Sequence, residues 1–306
     1  MKKTLFFVMV ACLAMVACSS DEQPEKVDDG GNDTPSGEVD EVERVFTASF
    51  EKLTRVALED ESLELKWGQG DALSVFDNVT GNAKYAYTAT DGKFHVEGKA
   101  ASGEEIGAVY AVYPYCADAA TDGDGEISMQ FPAVQSYSCE DGVFGMGANV
   151  MVAKADVRSN ELEMKSTGGY IRLSLWGKKH VRSIVLEGGN NEAIAGDATV
   201  TFEGGVPKVA FSPEGSRTIT LECGDLVLSE DKESPTTLWI GVPAMVFEYG
   251  LTMKVNSTEE YVMTKILSEQ SYEIKRGKVL DVVLEREFSI GNPFEGPGNG
   301  GIHDWD

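Results

Sequence analysis

Basic residues are scarce in this sequence. Its 306 residues include 26 Lys and Arg against 51 Asp and Glu, which gives a formal net charge of −25 at pH 7. Nucleic acid is bound through clustered Lys and Arg, so this composition argues against nucleic acid as a partner. The acidity instead favours solubility and mutual repulsion between copies of the protein.

Residues typical of catalytic and metal sites are also few. Only three histidines occur, His95, His180 and His303, and none has a second ligand at zinc spacing. The H-E-x-x-H, G-x-S-x-G and P-loop patterns are absent. Residues 145–150 begin like a dinucleotide-binding loop but have Val150 at the third glycine position. The sequence therefore predicts a protein that is not an enzyme and has neither catalytic residues nor a cofactor.

One acidic turn, residues 122–126, has the chemistry of a cation site. Its sequence is Asp-Gly-Asp-Gly-Glu, and carboxylate oxygens suit Ca²⁺. It departs from the EF-hand pattern, because Ala120 would stand first and Phe131 twelfth. A hairpin loop without metal is the favoured interpretation, and calcium binding at Asp122, Asp124 and Glu126 is the alternative.

Cysteine is rare, with five in the chain. Cys12 and Cys18 lie at the N-terminal end, which leaves Cys116, Cys139 and Cys223 for the body. An odd number argues against a disulfide framework. A Cys116–Cys139 bridge and buried free thiols both stay open.

The one long apolar run follows Lys2 and Lys3, extends from Leu5 to Val16 and leads to Ala17-Cys18. It falls short of the roughly 20 apolar residues that a membrane-spanning helix needs. A basic start, a short apolar run and a small residue before a cysteine are typical of a lipoprotein signal peptide. We expect cleavage after residue 17 and lipid, including palmitate, on Cys18. An ordinary signal peptide or an anchor helix is the alternative.

The residues after Cys18 indicate a destination. Ser19, Ser20, Asp21 and Glu22 resemble the export signal of surface lipoproteins in Bacteroides-type bacteria, and a plain solvated linker is the alternative. Residues 18–44 contain almost no large apolar side chain, so we expect a disordered acidic tether. Together these features predict a lipid-anchored protein at the cell surface of the outer membrane.

Beyond the tether the sequence alternates between apolar and polar residues with the period of β-strands. Phe46, Ala48 and Phe50 share one face of the first such segment. The alternation recurs at residues 170–176, 238–242, 251–255 and 280–284, and Gly- and Asp-rich turns separate these segments. The pattern predicts an all-β protein built from antiparallel β-sandwiches.

Changes in composition suggest the domain limits. A break near residues 157–169 predicts an N-terminal β-sandwich over 45–165 and a C-terminal one over 166–287. Residues 288–306 are rich in Gly and Pro, which predicts a tail without regular structure that ends near Trp305.

Several local motifs, taken in order, resemble the fimbrillin family of Bacteroides and its relatives, which is related to type V pili. Each motif is short, but their order extends over most of residues 45–286. The motifs are Phe46-Thr47-Ala48-Ser49-Phe50 with Thr54-Arg55, Trp67-Gly68-Gln69-Gly70-Asp71, Tyr113-Pro114-Tyr115, Pro132-Ala133-Val134-Gln135, Ile194-Ala195-Gly196 and Arg276-Gly277-Lys278.

This resemblance implies two transthyretin-like antiparallel β-sandwich domains in tandem and a role as a pilus subunit or an accessory protein in adhesion. It also implies a lipidated precursor, proteolytic maturation after an arginine, and partners that include other fimbrial subunits joined by strand donation. Arg44 and Arg55 are the candidates for the cleaved arginine. Ligands on host or bacterial surfaces are further expected partners, and the fimbrium is a further expected location.

A surface glycan-binding lipoprotein of a nutrient-uptake system is the alternative function. It would need an exposed stacking platform among Trp67, Trp176 and Trp239. All three lie in or beside apolar segments, which favours burial.

Overall fold

The described part of the chain is all-β, as its alternating sequence predicts. The computed structural model describes residues 44–51, 65–77, 81–98, 106–138, 144–257 and 262–283. These residues form twenty-one strands. Within the same ranges no helix has the length and apolar character to cross a membrane.

The strands are β1 (Thr47–Phe50), β2 (Ala72–Phe76), β3 (Ala83–Thr88), β4 (Lys93–Val96), β5 (Ala108–Tyr113), β6 (Ala120–Thr121), β7 (Ile127–Phe131), β8 (Val134–Ser136), β9 (Met151–Asp156), β10 (Glu161–Ser166), β11 (Gly168–Leu175), β12 (His180–Gly188), β13 (Gly196–Glu203), β14 (Val206–Phe211), β15 (Thr218–Val227), β16 (Thr236–Pro243), β17 (Val246–Phe247), β18 (Leu251–Ser257), β19 (Val262–Ser268), β20 (Tyr272–Glu273) and β21 (Val279–Val283).

Seven strands of the first half form a sheet that closes into a barrel. Their order is β1-β10-β9-β5-β2-β3-β4, and only the β1–β10 pair is parallel. Phe46, directly before β1, exchanges two backbone hydrogen bonds with Phe94 of β4, at 3.1 and 2.8 Å. These bonds join the first and last strands of the sheet and complete the ring.

Inward-facing side chains fill this barrel, as a small closed sheet requires. Alternate residues of each strand point inward, so the expected face of Phe46, Ala48 and Phe50 lies inside. The other buried residues of the interior are Leu73, Val75, Ala83, Tyr85, Phe94, Val109, Ala111, Met151, Ala153, Leu162 and Met164.

A four-stranded sheet, β14-β13-β7-β6, packs against the outside of the barrel. Its residues Ile127, Met129 and Val200 contact outward side chains of β5 and β9, such as Tyr110 and Val152. The barrel therefore has apolar side chains on both faces of β5 and β9, inside and out.

The second half contains a β-sandwich. A three-stranded sheet, β16-β11-β21, packs against a five-stranded sheet, β19-β18-β12-β15-β8. The alternation expected from the sequence is confirmed, because Ile171, Leu173 and Leu175 are fully buried between the sheets. The same holds for the apolar positions of residues 238–242 and 251–255.

The predicted domain boundary at residues 165 and 166 falls at the end of β10, just before β11. Strands from both sides of this point share sheets, since β7 pairs with β13 and β8 pairs with β15. The all-β class is confirmed, and the division into two transthyretin-like domains at this boundary stays a prediction.

Candidate functional site at strand β1

Most of the residues that the sequence marks for processing lie outside the described residues. This applies to Cys18, to the export signal Ser19, Ser20, Asp21 and Glu22, and to Arg55. Arg44 is described, and it stands directly before the barrel. Strand β1 is therefore the place where the expected tether meets the fold.

The Arg44 cluster consists of Arg44, Asp77, Val157, Ser159 and Asn160. Nε of Arg44 donates to Asn160 Oδ1 at 2.8 Å, and Nη2 donates to the carbonyls of Val157 and Ser159 at 2.9 and 2.7 Å. Nη1 lies 3.3 Å from Asp77 Oδ2, and Asp77 has only 2% of its side chain exposed. All three guanidinium nitrogens thus have partners in the fold. These bonds fix the side chain of Arg44 at the point where the chain begins the barrel.

The two edges of β1 are bonded to different partners. Thr47 and Glu51 donate backbone hydrogen bonds toward the β10 side, to Asn160 and Met164. Phe46 uses the opposite edge, toward β4. On that same edge the indole Nε1 of Trp67 donates to the carbonyl of Ala48 at 2.7 Å. We call this edge the β1 seam, and it comprises Phe46, Ala48, Trp67 and Phe94.

Trp67 fills the β1 seam with its ring as well as its N–H. The ring stacks on Phe50 with centroids 4.4 Å apart, and it meets Phe94 and Tyr113 edge to face at 5.1 Å. The partly buried indole therefore contacts β1, β4 and β5 at once. This placement gives the tryptophan of the W-x-x-G-D motif a structural role that the sequence alone did not reveal.

Asp71 connects two of the sequence motifs. Its Oδ2 accepts from the backbone of Gly68 at 2.7 Å, while its Oδ1 accepts from the hydroxyl of Tyr113 at 2.7 Å. Gly70 between them has φ +102°, a conformation that favours glycine. Burial and the neighbouring carboxylate raise the pKa of Tyr113, so its hydroxyl stays a donor.

An ion pair holds the other end of β1. Arg276, in the turn before β21, makes a bidentate contact with Glu51, and both side chains are 17% exposed. Arg276 also donates to the carbonyl of Ser166 at 3.3 Å. The partners are 225 positions apart, so no local sequence signal indicates the contact.

The start of the sandwich contains a second buried polar group. Tyr170 donates to Asn149 Oδ1 at 2.6 Å and lies 3.2 Å from the hydroxyl of Ser166. Burial raises the pKa of Tyr170 to about 12, so its hydroxyl keeps its proton well above neutral pH. Gln135 pairs with Gly241 like a strand, because its amide donates to the carbonyl and accepts from the N–H of that glycine.

The acidic turn is a hairpin loop between β6 and β7. Asp122 Oδ1 accepts backbone hydrogen bonds from Asp124, Gly125 and Glu126, at 2.9 to 3.1 Å. These N–H groups, that of Glu126 first, lower the pKa of Asp122. No group of three or more His, Cys, Asp or Glu side chains that could hold a metal ion occurs in the described ranges.

The remaining candidates are dispersed. Cys116 and Cys223 are free thiols, and Cys139 is outside the part of the chain that the structure describes. Trp176 and Trp239 are partly buried. The guanidinium of Arg172 lies 5.7 Å over the ring of Trp239, and the same arginine makes a bidentate contact with Asp281.

The described residues thus form an all-β protein with a closed barrel, a covering sheet and a sandwich. Side-chain contacts of Arg44 and Glu51 attach the two ends of its first strand, β1, to the rest of the fold. This fold is similar to that of a proposed cell adhesion protein from Bacteroides ovatus, with 13% identity over 79% of this chain and 91% of the other and a TM-score of 0.49. A proposed cell adhesion protein from Bacteroides uniformis is similar at 16% identity over 71% of this chain and 87% of the other, with a TM-score of 0.41.

A fimbrial protein from Bacteroides ovatus is similar at 12% identity, with a TM-score of 0.37, over 80% of this chain and 49% of its own length. No protein-family model and no curated protein sequence matches the chain.

Proposed function

We propose that this chain is a lipid-anchored cell-surface protein of the fimbrillin type, with a structural or accessory role in adhesion. The observation that carries the proposal is that separate family-like motifs contact one another. Trp67 binds Ala48 of the first motif, and Asp71 of the same W-x-x-G-D segment binds Tyr113. Arg276 of the last motif binds Glu51, directly after the first. Because these motifs contact one another in the fold, they form one structural unit. Their contacts support the resemblance of the whole set of motifs to the family.

The anchor is tested by replacing the acylated cysteine. The proposal expects alkyne-palmitate labelling of the protein in a Bacteroides-type host, and loss of the label in Cys18→Ser. Cys12→Ser is the matched control, since that residue leaves with the signal peptide and the label should remain.

Surface exposure is tested separately. Protease added to intact cells should degrade the wild-type protein if it faces outward. A protein that is unlabelled and protected inside the envelope would contradict both the anchor and the location.

The two candidate arginines for maturation differ in a way that can be measured. An arginine-specific protease must take the guanidinium into its own pocket, whereas that of Arg44 is bonded to Asp77, Asn160 and two carbonyls. We therefore expect Arg44→Lys to leave maturation intact and Arg55→Lys to block it. Mass spectrometry of the mature N-terminus distinguishes the two. A new N-terminus at Val45 would contradict this assignment.

Assembly through strand donation is the polymeric form of the proposal. Backbone hydrogen bonds along an open sheet edge would supply the affinity, and alternate side chains would fix the register. SDS-resistant ladders of the surface protein would support a pilus subunit. A lipidated monomer with an unprocessed N-terminus would contradict polymerisation and favour an accessory adhesive role.

Glycan binding remains the second candidate because Trp239 is only partly buried and lies beside Arg172. Trp67 does not serve it, since its indole fills the β1 seam. This function predicts glycan binding that Trp239→Ala abolishes and Trp67→Phe preserves. Unchanged binding in Trp239→Ala would remove the platform from consideration.

A further inference from the structure

The chain enters the described body at Arg44, so a pull on the preceding segment reaches the Arg44 cluster first. The cluster attaches this entry point to two places. Asp77 lies directly after β2, and Val157, Ser159 and Asn160 form the turn between β9 and β10. The guanidinium also lies 4.8 Å over the ring of Phe46, the residue that closes the barrel. Three strands of the barrel wall therefore share any load that arrives at Arg44.

Three of the four hydrogen bonds of Arg44 are partly buried, and the one to Asn160 is exposed. The side chain of Arg44 is 22% exposed and that of Asp77 is 2% exposed, whereas the surface pair Lys178–Glu230 is 68% and 66% exposed. Salt and water weaken exposed pairs far more than buried ones. Salt and water should therefore weaken the Arg44–Asp77 contact less than the exposed Lys178–Glu230 pair.

The far end of β1 is attached to the other half of the fold. Arg276 lies in the turn between β20 and β21, beside the sandwich, and its contacts with Glu51 and Ser166 join that turn to β1 and to the end of β10. Gly277 adds a backbone hydrogen bond to the carbonyl of Gly168 at 2.7 Å. A load that passes along β1 is thus transmitted to the sandwich as well as to the barrel.

Arginine suits both positions better than lysine does. A planar guanidinium bonds several acceptors in fixed directions, and a bidentate contact with a carboxylate resists rotation. Lysine presents one point charge, so it would keep the charge of either site while losing most of the bonds. Lysine variants therefore separate the hydrogen-bond geometry from the net charge.

We propose that β1, held by Arg44 at one end and Arg276 at the other, is the load-bearing strand that carries tension from the membrane tether into both halves of the body. This inference rests on the proposed function and concerns the chain before any cleavage at Arg55, because the tether pulls on the body only if the chain is anchored at Cys18 and continuous past β1. Its parts are in the described fold, and it can be tested without lipid.

Single-molecule pulling on the purified chain, without its signal peptide, tests the inference. Handles placed at the N-terminus before Arg44 and at the C-terminus load β1. Under constant force we expect Arg44→Lys and Arg276→Lys each to unfold about tenfold faster than the wild type, the factor expected for the loss of charge-assisted hydrogen bonds. Arg158→Lys, in the same β9–β10 turn, and Arg182→Lys, on the exposed face of β12, are matched controls and should unfold at the wild-type rate.

A second pulling geometry separates load bearing from general stability. A handle coupled at the exposed Glu214, together with the C-terminal handle, bypasses β1. In this geometry Arg44→Lys should unfold at the wild-type rate, because neither Arg44 nor its partners lie between the two handles. Equal acceleration of Arg44→Lys in both geometries, or none in the first, would overturn the inference. Amide hydrogen exchange of residues 46–51, faster in both variants than in the controls, provides an independent measurement, and unchanged exchange would also count against the inference.

The outcomes for this inference and for the proposed function are distinct. Loss of labelling at Cys18 reports on the anchor, whereas the pulling rates report only on β1. A labelled, surface-exposed protein whose lysine variants unfold at the wild-type rate would retain the proposed function and refute the load-bearing strand.

Discussion

At the scale of single residues, side chains far apart in sequence carry much of the specificity of this fold. Trp67 is the clearest case, because its indole contacts β1, β4 and β5 and also donates a hydrogen bond to the backbone of Ala48 in β1. Arg44 is another, since its partners lie more than thirty positions away. Neither role is visible from neighbouring residues.

Replacing Trp67 should destabilise the barrel in two steps. Trp67→Phe retains an aromatic ring but removes the hydrogen bond to Ala48, which we expect to cost about 1 kcal/mol. Trp67→Ala also removes the ring contacts and should cost about 3 kcal/mol. Urea unfolding followed by circular dichroism measures both values. Tyr249→Ala, at a side chain that is 62% exposed, is the control and should change stability by less than about 0.5 kcal/mol.

The lowered pKa of Asp122 predicts how the stability of the protein depends on pH in the acid range. A carboxyl group whose pKa is lowered on folding stabilises the fold above its unfolded pKa, and this contribution is lost as pH falls through the folded value. Asp122→Asn should therefore have a lower urea midpoint than the wild type at neutral pH, and the two midpoints should converge below about pH 4.

Asp124→Asn, in the same loop, is the control. It tests whether the pH-dependent stabilisation comes from the carboxylate of Asp122 or from any carboxylate in the turn. It removes a neighbouring exposed carboxylate but leaves the Asp122 acceptor in place. We expect a urea midpoint close to the wild type. Equal midpoints for the wild type and Asp122→Asn at every pH would show that the charge of Asp122 does not stabilise the turn.

At the scale of secondary structure, the alternating segments predict the strands and their buried faces well. Residues 46–50, 170–176, 238–242 and 251–255 all bury the face that the alternation indicates, because burial on one face of a sheet acts on every second residue. Pairing is another matter. The parallel bonding of β1 to β10 joins residues more than a hundred positions apart, and alternation carries no information about a strand's neighbour.

The side chain of Gln135 makes the two hydrogen bonds to Gly241 that a neighbouring strand would otherwise make. Its amide satisfies both the N–H and the carbonyl of buried Gly241, so Gln135→Ala would leave two buried backbone groups without partners. We expect a loss of about 2 to 4 kcal/mol in the free energy of unfolding. Gln270→Ala, at an exposed position, is the control. A loss below about 0.5 kcal/mol in Gln135→Ala would indicate that water replaces the amide.

At the scale of the whole molecule, the alternating segments predicted the all-β class, whereas the sharing of sheets between the two halves of the chain could not be predicted. The β13 and β14 strands cover the outside of the barrel, although they lie in the sequence beyond residue 165. A sequence pattern shows that a face is apolar, but it does not show which distant strand covers that face.

This arrangement makes a prediction for a fragment. Residues 45–165 alone would lack β13 and β14, so the outer apolar face that includes Phe76, Tyr110 and Val152 would lose part of its cover. We expect the fragment to bind a hydrophobic dye and to unfold without a sharp transition, in contrast to residues 44–287. A sharp urea transition with low dye binding would instead support an independent N-terminal domain, as the domain boundary predicted from the sequence implies.

The closure of the barrel has a consequence for when the protein can fold. β1 is the first described strand to be made, yet it bonds to residues 160–164 and to Arg276, which are made much later. Contacts between such distant positions form slowly, because a long loop must close first. Until residues 160–164 and Arg276 have been synthesised, β1 has neither its sheet partner nor its second arginine. The same long-range contacts that hold the finished protein therefore delay the closure of the barrel until late in synthesis.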